Sequence, residues 1–273
     1  MRFRAKELEQ FAASVMHRAG MPEGDAALVA SNVIRADLRG VSSHGLTRFK
    51  TYVARVEQGL VDPTAELKIL SDAPSMLVID GQNASGVVTA AKVMRLCMDR
   101  AKETGCCFAS VRGGNHFGIA EFYSEQAAAE DMIGIAMANG PAAIAPIGGK
   151  KAVFGTNPLS VSIPSAKYGR INLDMATSIV AQGKVKLASK EGREIPPTWG
   201  LDAEGRPTTD PKALKFMNPF GGPKGFGICM IIEILCSALS GAGTGLTMGS
   251  LYDFSGKKQN SGFFLGAMDV SRL

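Results

Sequence analysis

The chain contains three histidines. One lies in the run Ala36-Asp37-Leu38-Arg39-Gly40-Val41-Ser42-Ser43-His44-Gly45-Leu46-Thr47-Arg48. If a helix begins near Gly45, Arg48 lies one turn along it on the same side as His44. An imidazole there can exchange a proton with a carbonyl or hydroxyl oxygen. A guanidinium can hold a carboxylate through two hydrogen bonds. A 2-oxo acid requires both groups side by side. The helix N-terminus and Arg48 favour an anion and lower the histidine pKa. A proton donor near neutrality therefore needs a carboxylate to offset them, and Asp37 and Asp174 are the candidates. The competing reading is a capping or surface histidine, but Ser42, Ser43 and Gly45 form a tight polar turn in which an idle imidazole is costly.

His116 stands in Arg112-Gly113-Gly114-Asn115-His116-Phe117-Gly118, a glycine-rich turn between a strand and a helix. Loops at strand ends commonly carry chemistry, and the paired glycines suggest close backbone approach. A locally hydrogen-bonded turn histidine explains the segment equally well. Gly155-Thr156-Asn157-Pro158 is a turn by composition, and its hydroxyl and amide could hold a carboxylate or amide. Gly221-Gly222-Pro223-Lys224-Gly225 precedes an apolar helix. Bare glycines, helix N–H groups and a lysine suit phosphate oxygens, and a hinge with a solvated lysine is the alternative.

These residues need a scaffold. Apolar spacing predicts helices over 5–19, 24–39 and about 45–58, stopped by Gly20, Gly40 and Gly59, with Ser42 or Ser43 near the third cap. From Glu66 the pattern changes. Strands are expected at 67–70, 76–80, 107–111, 133–137, 159–163 and 171–174, with helices at 86–102 and 119–130. Residues 195–219 read as loop and 226–239 as a buried helix. Helices followed by mixed strands and helices predict an α/β or α+β domain behind a helical N-terminal region.

Composition narrows the classes. At 45% hydrophobic, 20% charged and net charge +5, the chain reads as an ordinary globular protein. No basic run is interleaved with aromatics, which argues against nucleic acid. The N-terminus opens on charge and the run 226–239 is short for a span, so no membrane association and a cytoplasmic location are expected. Five cysteines without a CxxC pair suit a reducing compartment. The histidine spacing offers no metal site. No G-x-G-x-x-G follows a strand, so the motifs alone give no Rossmann domain.

Taken in order, Ala36–Arg48, Gly113–Gly118, Pro146–Pro158, Asp174–Thr177 and Pro219–Gly227 resemble the type-2 malate/L-lactate dehydrogenase family. The run from Asp174 to Asp210 looks most like its ureidoglycolate dehydrogenase branch. The resemblance implies an NAD(P)-dependent oxidoreductase with a non-Rossmann mixed sheet. Residues 1–65 would form a helical domain, 66–225 the nucleotide domain, and 226–273 a helix and strand returning to the helical, dimerising region. His44, with Ser43 beside it, would be the proton donor or acceptor, or His116 in its place. Arg48, Thr156 and Asn157 would bind a small anionic substrate. Asp174, Met175, Ala176, Lys224 and Gly225 would bind NAD or NADP, with NAD first. A homodimer is implied, and the family's C-terminal helices are expected to be missing. A cyclic imino-acid reductase and a non-catalytic relative are the alternatives.

Overall fold

The computed structural model describes residues 3–272. Three helices open it, α1 (Ala5–Arg18), α2 (Glu23–Leu38) and α3 (Leu46–Glu57), close to the expected bounds. Their apolar stripes, including Met16, Val29, Val33, Phe49 and Val56, meet Val87 and Val88 in one core. A 3-10 turn, Ser42–His44, joins α2 to α3.

A seven-stranded mixed sheet follows. Its strands are β1 (Lys68–Ala73), β2 (Met76–Asp80), β3 (Cys106–Gly114), β4 (Met132–Ala138), β5 (Leu159–Ser165), β6 (Gly169–Met175) and, past a two-residue pair of strands, β9 (Ser261–Asp269). The order is β1-β2-β3-β9-β4-β5-β6. β2 and β3 run parallel and are joined across α4 (Gly86–Thr104), as a parallel pair requires a crossover. β9 lies between β3 and β4, antiparallel to both. α4 and α5 (Glu121–Ala128) pack with the sheet in the largest core, which holds Leu77, Ile79, Met94, Phe263 and Leu265. This is the non-Rossmann α/β architecture with helical N-terminal region that the sequence leads one to expect.

Four local expectations differ from the structure. Gly113 and Gly114 are not a free turn. They finish β3, where the register shifts between Val111 and Gly114. The stretch after β6 forms a helix, α6 (Gln182–Glu191), that apolar spacing does not announce. Residues 195–219 carry a small pair, β7 (Gly200–Leu201) and β8 (Phe216–Met217). The apolar helix starts earlier, as α7 (Pro223–Glu233), with proline in its first turn, and continues as a π-helical segment over Ile234–Ala238. No helix among the described residues is long and apolar enough to cross a membrane.

Candidate active site

The start of α3 is fixed from α2. The Leu46 N–H donates to Asp37 Oδ2 at 2.9 Å, so Asp37 supplies the helix's first acceptor and neither Ser42 nor Ser43 does. Gly45 is required here, since a Cβ would lie 2.0 Å from Asp37 Oδ1. This seam aims the 3-10 turn. Ser43 Oγ lies 3.0 Å from His44 Nδ1. One turn into α3, Arg48 Nε donates to the Ser43 carbonyl at 2.6 Å. Arg48 Nη1 donates to the Tyr252 hydroxyl, and its guanidinium carbon stands 5.2 Å from that ring's centre. Lys186 Nζ, from α6, sits 4.2 Å from the same ring centre. Two cations thus share one aromatic face partner, a favourable arrangement for each.

His116 is brought alongside. Its ring stacks on His44 with centroids 5.5 Å apart. Gly118 N–H donates to His116 Nδ1 at 3.2 Å. A backbone N–H can only donate, so Nδ1 carries no proton and the neutral ring holds its hydrogen on Nε2. The Tyr52 hydroxyl, 2.6 Å from the same Nδ1, therefore donates as well. Gln259 Oε1 accepts from the His116 N–H at 3.1 Å and anchors the backbone.

Electrostatics follow from this crowding. Burial, then Arg48, depress the His44 pKa to about 4. Burial, then His44 and Arg48, hold His116 well below the usual imidazole range. Burial pushes the Tyr52 phenol up. Burial and then Arg48 lower Lys186. Neither carboxylate foreseen as an offset partners His44, because Asp37 caps α3 and Asp174 accepts from the Glu121 N–H at 3.4 Å. The site is cationic, with two neutral imidazoles.

A second group of foreseen residues converges through backbone. Thr177 N–H and Oγ1 both donate to the Thr156 carbonyl, at 2.9 and 3.0 Å. Phe220 N–H donates to the Thr177 carbonyl at 2.9 Å. Thr156, the Asp174-Met175-Ala176 strand end and the approach to Lys224 and Gly225 are therefore one joined surface. Crowding of its carboxyl, then Glu121, raise the Asp174 pKa to about 6, although the residue as a whole is exposed, so water moderates the rise. Lys224 is exposed in the first turn of α7, while Gly225 is buried, where a Cβ would meet the Phe220 carbonyl at 2.0 Å. Gly183 ties the two groups together, since a Cβ there would lie 2.6 Å from that of Ser43.

Asn157 is placed elsewhere. It is 0% exposed, and its amide donates to the Cys229 carbonyl and Glu233 Oε2, at 3.1 and 2.8 Å, while Oδ1 accepts from the Gly140 N–H. Its side chain is fully used inside the fold. Tyr52, Lys186, Tyr252 and Gln259 join the site without having been foreseen. Only Tyr52 had a sequence signal, because Arg48, Tyr52 and Arg55 recur at helical spacing on α3.

The sequence model of the malate/L-lactate dehydrogenase family matches residues 3–273. The chain is 43% identical over 233 residues to an L-sulfolactate dehydrogenase of Methanocaldococcus jannaschii, covering 85% of this chain and 67% of that protein. The solved structure of sulfolactate dehydrogenase from that organism superposes with a TM-score of 0.93 at 36% identity, covering 100% of this chain and 79% of that one. A (2R)-3-sulfolactate dehydrogenase (NADP(+)) of Chromohalobacter salexigens is 34% identical over 98% of this chain and 81% of its own length. A ureidoglycolate dehydrogenase (NAD(+)) of Escherichia coli is 33% identical over 93% and 72%. The chain belongs to the malate/L-lactate dehydrogenase family. It is accordingly an oxidoreductase of the 2-hydroxy acid type. Over the aligned lengths it is more similar to the sulfolactate relative than to the ureidoglycolate one, whose branch the Asp174–Asp210 run suggested.

Proposed function

We propose that this enzyme moves a hydride and a proton between a nicotinamide and C2 of a small 2-hydroxy or 2-oxo acid. The observation that carries the reading is the convergence of Arg48, His44 and His116 in one cationic site. Arg48 holds the carboxylate. Its Nε is committed to Ser43 and its Nη1 to the Tyr252 oxygen, which leaves Nη2 and the Tyr252 O–H as donors to the substrate. Neutralising Arg48 in this way relieves its pressure on His44, whose pKa rises towards the working range.

His44 then exchanges the proton with the C2 oxygen. Ser43 serves either protonation state, because a hydroxyl can donate to Nδ1 or accept from it. His116 is different. If its Nε2 gave up the hydrogen, Nδ1 would have to take one from Tyr52 and leave a buried phenolate, which the raised Tyr52 pKa disfavours. His116 therefore polarises the oxygen through Nε2–H and keeps its proton.

The donor set at α7 fits a phosphate-bearing cofactor. Gly221 and Gly222 have positive φ with nothing within 4 Å of a would-be Cβ, and the helix N-terminus and Lys224 lie beside them. Lys224 and Gly225 would hold the phosphates, and Asp174, Met175 and Ala176 would line the nicotinamide. When bound, that cofactor supplies or accepts the hydride. It is NAD or NADP, with NAD the first to test, and relatives are named for each. Residues 1–65 would carry His44 and Arg48, and 66–225 would carry His116 and the cofactor, in a homodimer.

The deciding experiment follows NADH and NADPH oxidation with pyruvate, oxaloacetate, sulfopyruvate and piperideine-2-carboxylate, and NAD reduction with ureidoglycolate. Turnover of a 2-oxo acid or its 2-hydroxy partner is expected. Turnover of the cyclic imine alone, or of nothing on the panel, overturns the reading.

A further inference from the structure

Behind Tyr52 and His116, away from Arg48, lies a cavity of about 20 Å³. Its polar lining comes from Arg55, Tyr52, Asn115, His116, Gln259 and Ser85. Arg55, one turn after Tyr52 on α3, is only 1% exposed. Its Nη1 donates to the carbonyls of Leu251 and Asp253, at 3.3 and 2.8 Å. Its Nε and Nη2 are buried and have no hydrogen-bond partner among the described residues, although the guanidinium carbon lies 5.9 Å from the Phe254 ring centre. Leaving such donors unmet in a dry interior is costly.

Asn115 presents the opposite need. Its Nδ2 donates to the Asn83 carbonyl, Asn83 Oδ1 and the Ala84 carbonyl, at 3.1, 3.2 and 2.8 Å. The orientation of the amide is thereby fixed. Its Oδ1 is buried and no described residue donates to it. Both residues line the cavity, so unmet donors and an unmet acceptor belong to its walls. A halide could satisfy Arg55 but would face the Asn115 oxygen with like polarity. Water can accept from one and donate to the other. The volume exceeds the roughly 10–15 Å³ that one water requires, and the partners reach the two to four that hold it.

We infer that this cavity binds one ordered water, which accepts from Arg55, donates to Asn115 Oδ1 and to the Tyr52 oxygen, and makes Arg55 a positioning residue for His116. The water's hydrogen on the Tyr52 oxygen turns the phenol O–H towards His116 Nδ1. That contact adds to the Gly118 N–H in keeping the His116 hydrogen on Nε2, where the proposed reaction uses it. Arg55 thus acts through a water and a tyrosine, without touching substrate.

The water and the tautomer are read without turnover, so their failure is distinct from failure of the proposed function. A high-resolution crystal structure of the unmodified protein, soaked in bromide, should show a water within hydrogen-bond reach of Arg55 and Asn115 and no anomalous peak. A bromide peak, or no density, overturns the site. Nitrogen-15 spectra of histidine-labelled protein should show His116 as the Nε2–H tautomer. In Arg55→Met the Nε2–H fraction should fall, since the Gly118 N–H alone then favours it, with kcat lowered about tenfold, the worth of one such hydrogen bond, and KM little changed. Arg55→Lys should restore part of both. An unchanged His116 spectrum in folded Arg55→Met rejects the positioning role. If that variant does not fold, the crystal and the spectrum of the unmodified protein still decide the water and the tautomer.

Discussion

At the residue scale, the two histidines are chemically unequal although they stack. His44 has an adaptable hydroxyl partner, whereas a backbone N–H locks His116. His44→Ala should therefore lower kcat by roughly 10²–10⁴, the range for an acid–base residue. His116→Gln, which keeps an N–H donor, should lose less, and the reverse ranking in steady-state kinetics would exchange their roles. With its pKa near 4, His44 is neutral in the free enzyme through most of the acid range. The kcat/KM for oxidising the 2-hydroxy acid, which needs a proton acceptor, should hold down to about that pH and fall below it. Lys186 adds a second cation beside Arg48. Lys186→Met should raise KM for oxaloacetate more than for pyruvate, and an equal effect on both would assign the lysine to Tyr252 alone.

At the scale of elements, Gly183 is the seam between α6 and the Ser43 turn. A methyl group there must displace Ser43, because the two Cβ atoms would be 2.6 Å apart. Gly183→Ala should cost up to about 10²-fold in kcat/KM through misplacement of His44, with little change in melting temperature. Loss of stability without loss of activity would show that the turn adapts. The same seam explains what sequence reading could reach. The helices α1 to α3 were legible because their stripes face one core. α6 was not, because it buries only Val185 and Ala188 and begins on Gln182-Gly183-Lys184. His44 and Arg48 were legible as near neighbours in sequence, on either side of the start of α3. Lys186, Tyr252 and Gln259 were not, since only the tertiary fold brings the first two beside Arg48 and the third to His116. Asn157 had the right chemistry for a ligand, but it is spent on Glu233, a buried partner that spacing could not reveal.

For the whole molecule, the depressed histidines link folding to pH. The unfolded chain binds a proton on each near pH 6.5, whereas folded His44 does so only near 4 and His116 lower than usual. Stability is thus fully present above about pH 6.5 and falls as the medium is acidified towards 4. Melting temperature against pH should show this slope, and His44→Asn should flatten it. An unchanged slope would place the acid sensitivity in His116 or in carboxylates such as Glu130, which Arg95 and then Lys102 hold down to about 2.

The position of β9 has a consequence for how the chain is made. The strand that lies furthest along the sequence among those described, β9, occupies the middle of the sheet. Until it arrives, β3 and β4 each expose an unpaired edge, and the nascent polypeptide consists of two half-sheets that cannot meet. Chaperone demand during synthesis should therefore last until β9 has left the ribosome, and released chains ending short of Ser261 should aggregate more readily than chains that include β9, because those edges stay open.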